Sequence, residues 1–191
     1  MLLKKRSKIG LFVVSVLNLT IIACAPGPYF VRTEDVSKEV KLWYGYKKLG
    51  TYVLKEDVFI RIIDLPLPNK HILVAPREKT KGIYTLHFSS PFSISEYENN
   101  RDEWDDIKGI VKAGTRLQCT KLIRYKPLGF SDSLYLYAKI INGPHAGKEV
   151  EIGELSLLGP ESDAGYLHKP NPNLLTPIEK DKKTIGLHLH F

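Results

Sequence analysis

The sequence holds only two cysteines and one methionine in 191 residues. Two thiols cannot build a disulfide framework, and a single thioether leaves no Met-rich groove for apolar partners. The 14 glycines and 12 prolines follow no collagen-like period. No nucleophile elbow, phosphate-cradling glycine loop or zinc-protease histidine pair occurs. Ser131 and Ser133 flank Asp132, but neighbours in sequence do not make a triad, so nothing nominates an enzyme and no cofactor is expected. No long stretch keeps a helical period, which excludes a helix bundle. What is present is ordinary for a folded chain: 43% hydrophobic, 26% charged and 10% aromatic residues, enough for one domain or two small ones.

The formal charge of +7 is unevenly placed. Lys4, Lys5, Arg6 and Lys8 stand in the first ten residues with no acid among them. An apolar run from Ile9 to Ile22 follows, 14 residues long, which suits a signal-peptide core and is short for a bilayer-spanning helix. It ends in Ile21-Ile22-Ala23-Cys24. This segment resembles the lipobox of bacterial lipoprotein precursors: an aliphatic residue, a tolerant position, a small residue and a cysteine. The resemblance implies cleavage after Ala23, a diacylglycerol on the Cys24 thiol and acylation of the new amine. Several acyl chains anchor stably where one is marginal. Ala25, where aspartate would stand in a retained lipoprotein, points by analogy with lipoprotein sorting to the outer membrane, facing the periplasm. Without residues 1–23 the chain keeps 168 residues and 24 basic against 21 acidic side chains, a net +3. No nucleic-acid partner is expected from so mild a balance.

Beyond the anchor, residues 24–41 read as a lipidated N-terminus and spacer, with Pro26, Gly27 and Pro28 near the lipid. Trp43-Tyr44-Gly45-Tyr46 marks the start of an N-terminal β unit over 42–98. Tyr52–Leu54, Val58–Ile63, Ile72–Ala75 and Ile83–Phe88 are its strands, punctuated by Pro66, Pro68 and a charged turn. A second unit, 107–158, repeats the placing of a Gly-Thr pair at the start of a strand, Gly50-Thr51 being echoed by Gly114-Thr115. It offers a long strand over 114–125, another over 134–141, and a glycine-bounded turn, Gly143 to Gly147-Lys148, into 148–152. These residues resemble bacterial SH3-like domains, in which a Gly-Thr-x-Leu strand is followed by a Gly-x-x-x-Gly-Lys turn. The resemblance implies a small barrel and favours peptidoglycan or peptide ligands. The expected fold is therefore all-β, one or two small SH3-like barrels. A Pro-rich arm over 159–183 and an alternating terminal strand over 184–191 complete the chain.

Four residues are candidates for binding: Arg116, Arg124, Tyr135 and Tyr137. Lys112, Arg116, Lys121, Arg124 and Lys126 fall in a stretch from Ile110 to Phe130 without one acid. Alternation puts Arg116, Gln118, Thr120 and Arg124 on an outer face, away from Leu117, Cys119 and Ile123. Tyr135 and Tyr137, on the next strand, add amphipathic rings suited to contact surfaces. Cys119 reads as core packing. His188 and His190 share one strand face and are the only metal candidates, without a third ligand fixed by spacing. Glu96, Glu98, Asp102, Glu103, Asp105 and Asp106 read as a solvated acidic connector between the units, lacking the spacing of a calcium loop. The function expected is a membrane-anchored, non-enzymatic envelope module for cell-wall or protein partners. The alternative is an assembly subunit of an envelope complex that pairs through a sheet edge.

Overall fold

A computed structural model describes residues 31–63, 71–80, 90–127 and 130–178. The signal peptide, Cys24, the strand expected over 83–88, His188, His190 and the terminal strand lie outside these described residues. The chain is all-β: β1 (Val31–Asp35), β2 (Thr51–Leu54), β3 (Val58–Ile62), β4 (His71–Val74), β5 (Ile107–Val111), β6 (Arg116–Pro127), β7 (Ser133–Ile140), β8 (Glu149–Glu151), β9 (Ser156–Ser162), β10 (Gly165–Pro170) and β11 (Leu175–Ile178). One short helix, α1 (Ile94–Asn99), interrupts them.

Nine strands form one sheet in the order β11-β2-β6-β7-β8-β4-β3-β5, with β1 paired beside β6. All pairings are antiparallel except the single β4–β8 pair, Ile72 opposite Glu151. β9 and β10 form a separate hairpin. The two ends of the sheet path, β11 and β5, are not paired with each other. The sheet nevertheless curls around one core, because β2 to β8 all send side chains into the same cluster. Val58, Ile60, Leu73, Leu117, Cys119, Leu136, Ala138, Ile140 and Val150 meet there, with Leu167 of the hairpin and Leu42, Trp43 and Tyr46 of the 36–50 loop. Burial on that scale is the main stabilising force, since a fully buried Leu or Ile contributes about 1.5–3 kcal/mol.

Three boundaries expected from sequence do not hold. The spacer over 24–41 includes β1, whose residues pair Val31 with Pro127 through Asp35 with Ile123. The units 42–98 and 107–158 are not separate bodies: β2 pairs with β6 and β3 pairs with β5, so a single sheet crosses the expected acidic connector. The Pro-rich arm 159–183 contains β10, β11 and most of β9. Prolines are tolerated there because, among the described residues, β11 pairs only with β2 and β9 only with β10.

The connector itself is partly structural. Ser93 caps α1 by accepting the Glu96 amide at 3.1 Å, and the Glu96 carboxylate reaches back to the Phe92 amide. Tyr97 of α1 and Ile107 then pack against Phe59, with Tyr97 and Phe59 edge-to-face at 5.4 Å. Glu98, Asp102, Glu103 and Asp105 are exposed as expected, whereas Asp106 forms an ion pair with buried Arg61.

Candidate functional site

The expected binding face breaks at a β-bulge. Cys119 lies opposite Ala138, but Lys121, two residues on, lies opposite Tyr137, so Thr120 is the extra residue. The Thr120 hydroxyl donates to the Tyr137 carbonyl at 3.3 Å and lies 3.0 Å from Glu149, which fixes the bulge. One extra residue reverses the alternation beyond it. Leu122 joins the core with Leu117 and Cys119, and Arg124, two residues on, turns to the same side. Arg116 stays on the outer face and is exposed. The two arginines therefore lie on opposite faces of β6, and the single basic face read from alternation does not form.

Arg124 is spoken for within the protein. Its side chain is 13% exposed, 3.7 Å from Glu34 and 4.0 Å from Asp132. Tyr137 is buried, with the Lys121 ammonium 5.0 Å from its ring centre. Tyr135 is half-buried and stands edge-to-face on Tyr125, packed against Ile63, Ile72 and Val74. Burial, followed by the Glu151 charge, pushes its hydroxyl up to about 12. Of the four candidates, only Arg116 is fully exposed. Cys119 is buried as expected, and burial raises its thiol to about 12, where little thiolate exists.

A buried acidic group was not legible in sequence. Glu151 is closed off from solvent at the end of β8 and accepts the Gly153 amide at 2.6 Å. Burial, reinforced by the Glu154 charge, raises its carboxyl to about 8. Burial likewise raises Glu154 to about 7 against the pull of Arg61. Buried His168 bonds the Leu134 carbonyl at 3.0 Å, and desolvation holds its imidazole below the ordinary value. Glu151 is 5% exposed, so its titration bears directly on folding stability. Among the described residues no group of three His, Cys, Asp or Glu side chains is arranged to hold a metal.

An open concavity lies elsewhere, on the loop between β1 and β2. It is a half-open groove of about 440 Å³ lined by Ser37, Lys38, Val40, Trp43, Tyr44, Tyr46, Lys47 and Lys48. Local hydrogen bonds build it. Asp35 accepts the Ser37 amide at 2.9 Å, and the Ser37 hydroxyl, followed by that amide, holds its carboxyl below the usual range. The Ser37 hydroxyl accepts the Leu122 amide at 2.9 Å, and the Trp43 indole donates to the Ser37 carbonyl at 3.1 Å. Tyr46 meets the Ser156 hydroxyl at 2.8 Å and stands edge-to-face on Tyr52 at 5.1 Å. Trp43 and Tyr46 thus form a fixed floor.

The rim is different. Val40 is 82% exposed and Tyr44 50% exposed, beside exposed Lys38, Lys41, Lys47 and Lys48. Tyr44 holds φ 47° and ψ −104°, a region that suits glycine and strains a bulky residue. Its ring lies so close over Gly159 that a Cβ there would approach Tyr44 Cε1 to 2.8 Å. Trp43-Tyr44-Gly45-Tyr46 between lysines was the available signal, although in sequence it marks only where the fold begins. The chain matches no protein-family model, no curated protein and no solved structure.

Proposed function

We propose that this is a lipid-anchored envelope protein whose folded part is a non-enzymatic binding module, and that the 37–48 groove takes the anionic glycan and peptide stems of the cell wall. The strained, half-exposed Tyr44 at the groove rim carries the reading. Backbone strain of about 1–3 kcal/mol persists where surrounding structure enforces it, and such outliers cluster at ligand clamps. Sugar rings stack on an exposed aromatic ring, and the lysine ammonium groups attract stem-peptide carboxylates. The Ile21-Ile22-Ala23-Cys24 motif supports the anchor and compartment. No helix among the described residues is long and apolar enough to cross a membrane.

Edge pairing with an envelope protein is the second reading. β5 and β11 each have one partner, which leaves outer edges open among the described residues. Those edges are blunted: Pro177 interrupts β11, while β5 carries exposed Lys108 and a register shift beside Gly109. The groove is the better site.

The test is a fluorescence titration of the full chain with soluble peptidoglycan fragments, Trp43 reporting from the groove floor. A saturable change that Tyr44→Ala weakens about tenfold, equivalent to about 1.4 kcal/mol, is expected. An unchanged spectrum at millimolar fragment overturns the assignment.

A further inference from the structure

The end of the molecule opposite the groove carries a second exposed apolar feature. Phe130 is 72% exposed where the β6–β7 connection turns back, with its amide bonded to the Pro127 carbonyl. Tyr166, at the start of β10, is 49% exposed. The two belong to one end of the fold, because Gly165 packs so tightly on the strand following Phe130 that a Cβ there would lie 2.5 Å from the Asp132 carbonyl oxygen. Gly165 holds φ +101°, which permits that approach. Scattered single apolar residues on a surface need no explanation. Two aromatic rings at one end, beside the point where the described residues begin, call for one.

That point is Val31, which pairs with Pro127 at this same end. Cys24 lies seven positions before it. Seven extended residues span at most about 25 Å, so a lipid on Cys24 keeps this end within reach of the headgroups. β1 then runs away from it toward Ser37 and Lys38, which line the groove. Five strand residues cover about 17 Å. The β9–β10 hairpin connects the same two ends: Gly165 touches Asp132, while Gly159 lies under Tyr44 and Lys169 beside Gly45.

We infer that the Phe130–Tyr166 end docks on the lipid bilayer, setting the rings at the headgroup level and presenting the groove away from the membrane. The inference rests on the lipid-anchor reading. Aromatic rings are favoured at the membrane–water boundary, where one edge is apolar and the other wet. Arg32 is exposed at this end, Lys126 is ion-paired with Glu34 at 3.0 Å, and Asp132, Glu161 and Asp163 are near, so the contact is apolar more than electrostatic. A single ring adds little to the affinity that acyl chains supply; its effect is orientation.

The experiment uses the full chain, processed in bacteria and reconstituted into phosphatidylethanolamine–phosphatidylglycerol vesicles. Intact mass first reads the acyl groups on Cys24. Nitroxide labels are then placed at Phe130→Cys, Tyr166→Cys and Val40→Cys, Cys119 being buried and out of reach. Collisional relaxation by oxygen and by a water-soluble nickel chelate reports depth. The expected result is loss of nickel accessibility and gain of oxygen accessibility at 130 and 166 on vesicle binding, with label 40 unchanged. A lipidated, vesicle-bound protein whose 130 label stays as open to nickel as label 40 overturns the docking and leaves the anchor standing. Absence of acyl mass on Cys24 overturns both.

Discussion

Tyr44 combines two features that stability alone would remove: a backbone conformation suited to glycine and a ring half in water. Tyr44→Gly is therefore expected to keep or raise the Tm, measured by calorimetry, while weakening fragment binding about tenfold. A Tm loss of several degrees would mean that the ring serves packing on Gly159 instead. Glu151 gives a pH prediction with a definite sign. Its folded carboxyl titrates near 8, above the ordinary 4.5, so between those values the folded state holds more protons than the unfolded. Stability must then fall as pH rises through this window. Glu151→Gln should flatten that slope and raise the Tm at pH 8 by roughly 2–4 °C per kcal/mol recovered, with little gain near pH 5. The two arginines separate in the same assay. Arg116→Ala should stay within about 0.5 kcal/mol of the parent. Arg124→Ala should cost about 1 kcal/mol, mostly from its half-buried stem, since ion pairs at such distances contribute little.

At the level of elements, strands were legible wherever β-branched and aromatic residues ran between turn signals. β2, β3, β4, β6, β7 and β8 fall where those runs are. Gly143 and Gly147, with φ of +83° and +88°, occupy the turn that their spacing suggested. The bulge was not legible, because Gln118-Cys119-Thr120-Lys121 contains no glycine to mark it and strict alternation looks intact on paper. One unmarked residue was enough to move Arg124 to the wrong face. β9 to β11 were hidden by proline, which argues against a central strand but not against an edge. The cap of α1 was readable in Ser93-Ile94-Ser95-Glu96, a capping pattern, although six residues are too few to show a helical period. The β9–β10 hairpin is tested through Gly165. Gly165→Ala forces a left-handed conformation on alanine and a clash with Asp132, so the Tm should fall by at least about 2–4 °C. Hydrogen exchange should quicken in β10 before β7, and the reverse order would show that the hairpin does not depend on this contact.

For the molecule as a whole, composition and pattern gave the class, all-β, but pointed to two units where one sheet encloses one core. Pairing between β2 and β6, or between β3 and β5, is long-range and leaves no local mark. The site was legible only as an aromatic cluster among lysines, since exposure and backbone strain exist only in three dimensions. The described body is polar: β1 begins at Val31 opposite Pro127 at one end, and the groove opens at the other, with β1 between them. Such a body, held by lipid, would present its lysines to the cell wall, and that attraction should weaken as salt screens it. The most direct measurement is co-sedimentation of the full chain, in mild detergent, with purified peptidoglycan at low and physiological salt, beside Tyr44→Ala/Lys47→Ala and Arg116→Ala variants. The expected result is capture that weakens but survives at physiological salt, is lost in the double variant and is unchanged by Arg116→Ala. No capture at either salt, or capture that the double variant retains, would contradict the account.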